Sequence, residues 1–328
     1  MYYRNNIAPI ELNDGTQFMY EAALIEERII REAAGENNGT KLQKAKVAIA
    51  KVVEFLKKIF VNAIAALQKF FNPMKLVAKR LRSQVEKSKK ASSQPTDAIV
   101  KTKYTPFEKS YFDNLSADIK GFINSFQTLF DMKVENFKDY TEVNEKAVKN
   151  AMLKNMHLAT YDRINYLLKI GLKPENDEQK EVLTNTLVAF HVNDNNNIDT
   201  WYFDSGIKTD KERMHPITYE HAISMINFIE NSPNYLYGIR KAYRNCMQKL
   251  NTQFDRINSK GNAEGYNRVL KVQMAVCKDA LSFFIRMIKS AVSNAIVSVD
   301  NYLEVINPNH KKHPVIQKEP HIIEKEPE

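Results

Sequence analysis

"KLQKAKVAIAKVVEFLKKIFVNAIAALQKFF", residues 41–71, is the stretch that decides the fold class of this chain. Twenty of its 31 residues are apolar, and all but one of the others are Lys, Gln or Asn. It contains neither Gly nor Pro, so no residue in it interrupts a helix. At about 100° per residue, its large apolar side chains gather on one half of a helical wheel. The pattern therefore predicts one long amphipathic α-helix.

Three different partners could cover the apolar face of this helix. Lysines along its borders could reach anionic lipid headgroups while Phe and Leu enter the acyl boundary, as in a membrane-surface helix. A wide apolar face is also what any helix of a bundle presents to its neighbours. The pattern favours packing in a core or an assembly over membrane contact, with nucleic acid as the third alternative. The residues assigned to this assembly or membrane face are Leu42, Ile49, Leu56, Phe60, Leu67 and Phe70.

Most of the remaining chain is helical in pattern as well. Only 9 of its 328 residues are Gly, which favours long helices over turn-rich β structure. A second long amphipathic helix is predicted at about 263–304. Packing the two long helices against each other or against copies is expected to bury Phe60 and Phe284. The other predicted helices cover about residues 17–36, 74–90, 107–172 with interruptions, 175–189, 217–231 and 234–259.

Segments without a helical period divide the chain. The stretch ASSQPTD, which holds Pro95, is typical of a linker. An insertion contains the single Trp, and its segments LVAFHV and IDTWYF could pair as a hairpin across an Asn-rich turn. The last 22 residues hold four prolines and are expected to be disordered. The predicted organisation is an N-terminal region 1–90, a linker 91–105, a helical domain 106–306 with an insertion 191–216, and a tail 307–328. The predicted fold class is all-α, an elongated multi-helix protein with a small irregular or hairpin insertion.

The positive charge of the chain is concentrated in one block. The net charge is +9 overall, but residues 1–40 hold three basic and seven acidic side chains. Residues 41–90 hold 14 basic and two acidic side chains, a net charge of +12. Such asymmetry points to an interaction surface. The acidic side chains of the first helix, Glu21, Glu26, Glu27 and Glu32, could fold back and screen the basic block.

The third predicted helix carries the densest run of cations. Phosphate contacts need mobile cations, each of which displaces counterions. The stretch has no aromatic residue for base stacking and no groove-reading motif, so any nucleic-acid contact would be to the backbone, without sequence choice. The alternative is a solvated basic face. The residues that could contact an anion or nucleic acid are Lys75, Lys79, Arg80, Arg82, Lys87, Lys89 and Lys90.

No catalytic, cofactor or metal signature is present in the sequence. Cys246 and Cys277 form no CxxC pair, and there is no GxxxxGK[ST], GxGxxG or GxSxG motif. The chain is therefore expected not to be an enzyme and to take no cofactor, metal or small-molecule substrate. The N-terminus has no apolar core typical of a signal peptide. The longest uncharged stretch of the predicted helix 41–71 is residues 59–68, which is half the length that a membrane span needs. Cytoplasmic synthesis without a transmembrane span is expected.

A Lys- and Asn-rich helical chain without enzyme motifs resembles the virion structural or internal head proteins of large tailed bacteriophages. Some of those proteins are cut by a maturation protease after a small residue, any residue, then Glu. The triplet Ala34-Gly35-Glu36 fits that pattern, between the acidic and basic blocks. The resemblance implies a possible processing site at Glu36 and incorporation into a virion. The alternative for these residues is a helix end followed by a loop.

The expected function is that of a non-enzymatic structural or interaction protein in a large assembly such as a phage virion. Protein partners or self-association come first, and an anionic membrane or nucleic-acid backbone is the further partner. The alternative function is a membrane-active protein that acts through the amphipathic helix 41–71.

Overall fold

A computed structural model shows that the chain is all-α, as predicted. It describes residues 15–34, 41–91, 97–104, 116, 119–121, 123–124, 126–130, 188–192, 198–203, 208–260, 266–307 and 310. The α-helices are α1 (Thr16–Ala34), α2 (Lys41–Phe71), α3 (Met74–Ala91), α4 (Tyr219–Asn231), α5 (Tyr235–Lys260) and α6 (Tyr266–Ile306). The strands are β1 (Ala98–Tyr104), β2 (Val188–Val192), β3 (Ile198–Phe203) and β4 (Lys208–Ile217), and short 3-10 helices cover Phe126–Phe130 and Ser232–Asn234.

Helix α2 has the bounds that its sequence predicts. It ends at Phe71 because Pro73 restricts the residue before it and has no backbone N–H to donate. The Asn72 N–H still donates to the Gln68 carbonyl at 3.0 Å, and the Val77 N–H donates to the Pro73 carbonyl at 3.0 Å. Helix α3 therefore begins after a two-residue turn that keeps helical hydrogen bonds on both sides.

The core is built around α2. This helix packs against α1, α5 and α6, while α3 packs against α4 and α6. The ring of Phe60 lies 5.2 Å from that of Tyr243 on α5 and 6.0 Å from that of Phe126, centroid to centroid. Phe126 in turn meets Phe284 of α6 edge-on at 6.4 Å. Phe60 and Phe284 are both fully buried, so the prediction that packing the two long helices buries both rings is confirmed.

The predicted linker 91–105 is wrong at residues 98–104, which form strand β1. This strand pairs antiparallel with β4, so that Ala98 lies opposite Ile217 and Val100 lies opposite His215. Ala98, Val100 and Ile217 point into the core, and Ile99 points outward. The alternation in AIVKTKY fits a half-buried strand. Its partner lies far along the chain, and the linker prediction rested on the polar stretch that holds Pro95.

The regions on either side of the predicted linker share one core. Buried side chains of α1, α2 and α3 belong to the same hydrophobic cluster as those of α4, α5 and α6. Strand β1 also contacts α6. The predicted division between residues 1–90 and 106–306 therefore does not separate two independently packed cores among the described residues.

The hairpin predicted in the insertion is confirmed. Strands β2 and β3 pair antiparallel from Val188 opposite Phe203 to Val192 opposite Ile198, with a register shift after Ala189. The predicted helix 175–189 is wrong at its last two residues, which belong to β2. Its other residues lie outside the described ones, as does the predicted helical stretch 107–172 apart from 116, 119–121, 123–124 and the 3-10 helix at 126–130.

The first described residues after α6 remain attached to that helix. The Asn307 N–H donates to the Leu303 carbonyl at 2.8 Å, and the His310 N–H donates to the Asn307 carbonyl at 2.9 Å. The Nε2 atom of His310 lies 3.0 Å from Oδ1 of Asp300, and both side chains are buried. Residues 311–328, for which disorder is predicted, lie outside the described residues.

We expect truncation of the central aromatic rings to destabilise the protein strongly. Phe60→Ala and Phe284→Ala should each lower the free energy of unfolding by about 3–5 kcal/mol, because each leaves a cavity in a packed core. The matched control is Val61→Ala, the next residue of α2, which is exposed and should change stability by less than about 0.5 kcal/mol. Urea unfolding followed by far-UV circular dichroism measures all three. Equal midpoints for Phe60→Ala and Val61→Ala would contradict this packing.

Candidate functional site

The face of α2 that was predicted to contact an assembly or a membrane is buried in the core of this protein. Ile49, Leu56, Phe60 and Leu67 are fully buried, and Leu42 and Phe70 are half-buried against the same core. Of the alternatives that the sequence left open for this face, core packing is the one that the structure shows. In this fold the face is therefore not exposed to a bilayer or to a second chain.

The opposite side of α2 is exposed and basic. Val47 and Val61 are 37% and 42% exposed, so this side is not covered by other described residues. It carries one carboxylate, that of Glu54. The exposed positions recur at intervals of three or four residues: Lys44, Val47, Lys51, Glu54, Lys58, Val61, Ala65 and Gln68. Lys69 is exposed beside the last of them.

Helix α3 also has one buried apolar side and one exposed basic side. Its apolar residues Val77, Leu81 and Val85 are buried, and the helix packs against α4 and α6. Its outward residues include four of the seven cations predicted to contact an anion: Lys75, Lys79, Arg80 and Lys87. Among the described residues, no carboxylate forms an ion pair with any of these four.

Two of the other predicted contact residues hold α3 to α4 instead. Nη2 of Arg82 lies 2.8 Å from Oε2 of Glu230 and donates to Oδ1 of Asn227 at 2.7 Å. Nζ of Lys89 lies 3.7 Å from the ring centroid of Tyr219. These two cations serve tertiary packing, so the sequence prediction grouped residues that the structure separates. The side chain of Lys90 lies outside the described part of the structure.

The exposed positions of α2 and α3 form one series across the turn. Asn72 and Pro73 are both exposed, and helical hydrogen bonds flank them. Along the sequence, exposed positions therefore continue at a spacing of three or four residues from α2 into α3. We call the exposed cations of this series the basic face: Lys44, Lys51, Lys58, Lys69, Lys75, Lys79, Arg80 and Lys87. Its carboxylates are those of Glu54 and Glu86.

Helix α6 contributes a further cation next to this face. Nζ of Lys289 lies 5.8 Å from the ring centroid of Phe70, which is also the neighbour of Lys69 in sequence. Burial lowers the pKa of Lys289, and the positive charge of Lys69 lowers it further. Within the described residues, neither lysine has a carboxylate within ion-pairing distance. Two like charges therefore lie together without an internal counterion.

The acidic helix α1 screens only the edge of α2. Oε1 of Glu26 lies 2.8 Å from Nζ of Lys57, and the glutamate side chain is nearly buried. Oε2 of Glu21 lies 3.1 Å from Nη1 of Arg244 on α5. Glu32 pairs with Arg28 of its own helix. The expectation that α1 folds back onto α2 is correct, but its carboxylates meet Lys57 and α5 rather than the basic face.

Burial favours the neutral form of two ionisable side chains in the core, Cys277 and Tyr235. Cys246 and Cys277 are both fully buried, and burial raises the pKa of the Cys277 thiol. Burial also raises the pKa of Tyr235 to about 12, against the opposing effect of its hydrogen bond to Ser116. A thiol with a raised pKa is a poor nucleophile. In the described part of the chain, no three His, Cys, Asp or Glu side chains come together as metal ligands.

Helix α6 is the described helix whose length and composition would also suit a membrane span. The candidate span runs from Leu270 to Ile306, and 60% of an apolar 18-residue stretch within it is buried inside the protein. The helix contacts α2, α4 and β1. A central core helix of a soluble fold has the same composition, so this feature is weak support for a span.

The chain gives no match to known protein families, to curated proteins or to solved structures. The site therefore has to be interpreted from its own chemistry, and the resemblance to phage virion proteins stays a prediction. Glu36, the predicted processing site, lies in residues 35–40, outside the described ones. The residue that sequence reasoning did not connect with the site is Lys289, because only tertiary packing brings α6 to the end of α2.

We expect the pKa of Lys289 to rise when its neighbouring charge is removed. In Lys69→Gln the repulsion is lost while the burial of Lys289 remains, so its pKa should move part of the way back to that of an ordinary lysine. The measurement is an NMR titration of the lysine side chains, with the Lys289 signal assigned from Lys289→Arg. Lys44→Gln, at the other end of α2, is the matched control. An identical Lys289 titration in wild type and Lys69→Gln would contradict the proximity of the two ammonium groups.

Proposed function

We propose that this chain is a non-enzymatic structural protein of a large assembly, and that the assembly is a virion of the kind formed by large tailed bacteriophages. The observation that carries the proposal is the basic face. It presents eight cations and two carboxylates on the exposed sides of α2 and α3, while the opposite side of each helix packs into the core. A surface of this kind is suited to contact with another component rather than to chemistry on a small molecule.

Exposed apolar side chains elsewhere support contact with protein partners. Ile99 and Met214, on the outer face of the β1–β4 pair, are 62% and 63% exposed, and Pro216 beside them is exposed as well. On α1, Tyr20 and Leu24 are exposed one helical turn apart. Clusters of exposed apolar residues often mark interaction surfaces. Subunits of an assembly need several such surfaces, whereas a monomeric enzyme needs an active-site cleft.

The alternative function, a membrane-active protein acting through residues 41–71, requires the apolar face of α2 to leave the core. Phe60 would then lose its contacts with Phe126 and Tyr243. Flotation with anionic vesicles discriminates the two functions. A membrane-active chain floats with the vesicles and its far-UV and near-UV spectra change, because α2 must detach from α5 and α6.

We expect the chain to be an integral component of purified particles. Particles released by the cells that make this chain are banded on a density gradient, washed at high salt and analysed by quantitative mass spectrometry. The chain should be present at a fixed copy number relative to the major capsid protein, and processing after Glu36 should give a peptide that begins at Asn37. An abundant cytosolic host protein is the control for contamination. A copy number that falls with that control during the wash would refute the virion proposal.

A further inference from the structure

We infer that the basic face of α2 and α3, together with Lys289 of α6, binds the phosphate backbone of a nucleic acid without sequence choice. This goes beyond the proposed assembly function and can hold or fail separately, because it concerns the purified chain alone. The inference rests on how the cations are arranged and on where the carboxylates of the chain are engaged.

The cations of the basic face are spread along two helices, and the first three of them form a regular row on α2. Lys44, Lys51 and Lys58 recur every seven residues, which is about 10.5 Å along a helix that rises about 1.5 Å per residue. Duplex DNA carries one negative charge per about 1.7 Å of its axis, so a backbone lying along the face meets each lysine with a phosphate within reach of its flexible side chain. A small anion would need only one cluster of cations and would leave the rest of the series without a role.

The face carries the carboxylates of Glu54 and Glu86, and nearby carboxylates of α1 and α4 are engaged elsewhere. Glu26 pairs with Lys57 at the border of α2, and Glu21 pairs with Arg244 on α5. Glu230 of α4 pairs with Arg82, on the inner side of α3. Within the described residues, the fold thus satisfies the cations at the helix borders and leaves those of the basic face to an external anion.

Lys69 and Lys289 add two positive charges to the series beside the ring of Phe70. Their two ammonium groups repel each other, and Lys289 is partly removed from water beside the ring of Phe70. A phosphate near both lysines would offset this repulsion with attraction. The position of this pair at the C-terminal end of α2, before the turn into α3, places it in the middle of the series rather than at its edge.

The apolar side chains on the face favour a nucleic acid over a lipid surface. A helix that lies in a membrane interface needs Trp, Phe or Leu on the side that enters the acyl boundary. On α2 the exposed side offers only Val47, Val61 and Ala65, and Leu76 is the one large exposed apolar side chain of α3. The face also has no aromatic side chain on which a base could stack, which is why we expect no preference for sequence.

The test is fluorescence anisotropy with the full-length chain and a labelled mixed-sequence DNA duplex, titrated over a range of salt concentrations. Wild type should bind duplexes of different sequence equally, and the logarithm of its affinity should fall linearly with the logarithm of salt concentration. The triple variant Lys75→Gln, Lys79→Gln, Arg80→Gln should lose at least about tenfold in affinity at low salt, and its salt slope should be shallower by roughly three charges.

The matched control removes three exposed lysines outside the face, Lys241→Gln, Lys271→Gln and Lys278→Gln on α5 and α6. It has the same net charge as the first triple and should bind DNA nearly as well as wild type. Circular dichroism checks folding, and Lys44→Gln, Lys51→Gln, Lys58→Gln replaces the first triple if that variant misfolds. Lys289→Gln alone should also weaken binding.

Three results would overturn the inference. One is an absence of binding at low salt. Another is an equal loss of affinity in the two triple variants, which would show that binding depends on net charge rather than on this face. The third is tight binding to vesicles of anionic phospholipid with no binding to DNA, which would make a membrane the partner. None of these results bears on whether the chain is found in purified particles, so the proposed function is tested separately.

Discussion

The packing of one face of α2 against α5 and α6 is the constraint on which the rest of the structure depends. Phe60 lies at the centre of this packing, and its ring contacts those of Tyr243 and Phe126. The ring of Phe126 in turn contacts that of Phe284. Fully burying a side chain of this size stabilises a fold by about 1.5–3 kcal/mol. Because α2 has 31 residues, this packing fixes a rod about 45 Å long in the middle of the protein. Helix α1 precedes α2 in sequence, and α3 follows it. Each of them then packs against the surface that its neighbouring helices leave uncovered.

Once the apolar side of α2 is committed, its charged side has to face outward, and the electrostatics of the chain follow from that. The acidic helix α1 packs against α2 and α5, so its carboxylates reach Lys57 and Arg244 but not the far side of α2. Arg82 turns inward towards Glu230 because α3 packs on α4. The net charge of +12 on residues 41–90 is thus divided by the fold into cations that hold helices together and cations that face solvent.

The helices could be predicted from sequence because helical periodicity is a local signal. The bounds of α2 are fixed by its apolar pattern and by Asn72-Pro73, and α4, α5 and α6 begin and end within a few residues of the expected positions. Strand β1 was missed because a strand is stabilised by its partner, and Ala98 finds Ile217 only in the folded chain. The same reason explains Lys289. Its place on the outer side of α6 could be predicted from the wheel, but its approach to Lys69 depends on how α6 crosses α2.

The membrane and nucleic-acid alternatives use opposite sides of the same helix, and this makes their energetic requirements different. Moving the apolar side of α2 from the core into a bilayer keeps Phe60 and Leu56 away from water, so their own burial is little changed. The free-energy cost comes from the apolar surfaces that α2 would uncover. Tyr243 and Phe284 would then face water unless the remaining helices repacked. Binding a polyanion along the basic face requires no such rearrangement. The side chains involved are already exposed, and the ligand brings negative charge to a face on which eight cations outnumber two carboxylates. The apolar side of α2 packs against every neighbouring helix in the core. The outer side of α2 is therefore the one available for an external partner.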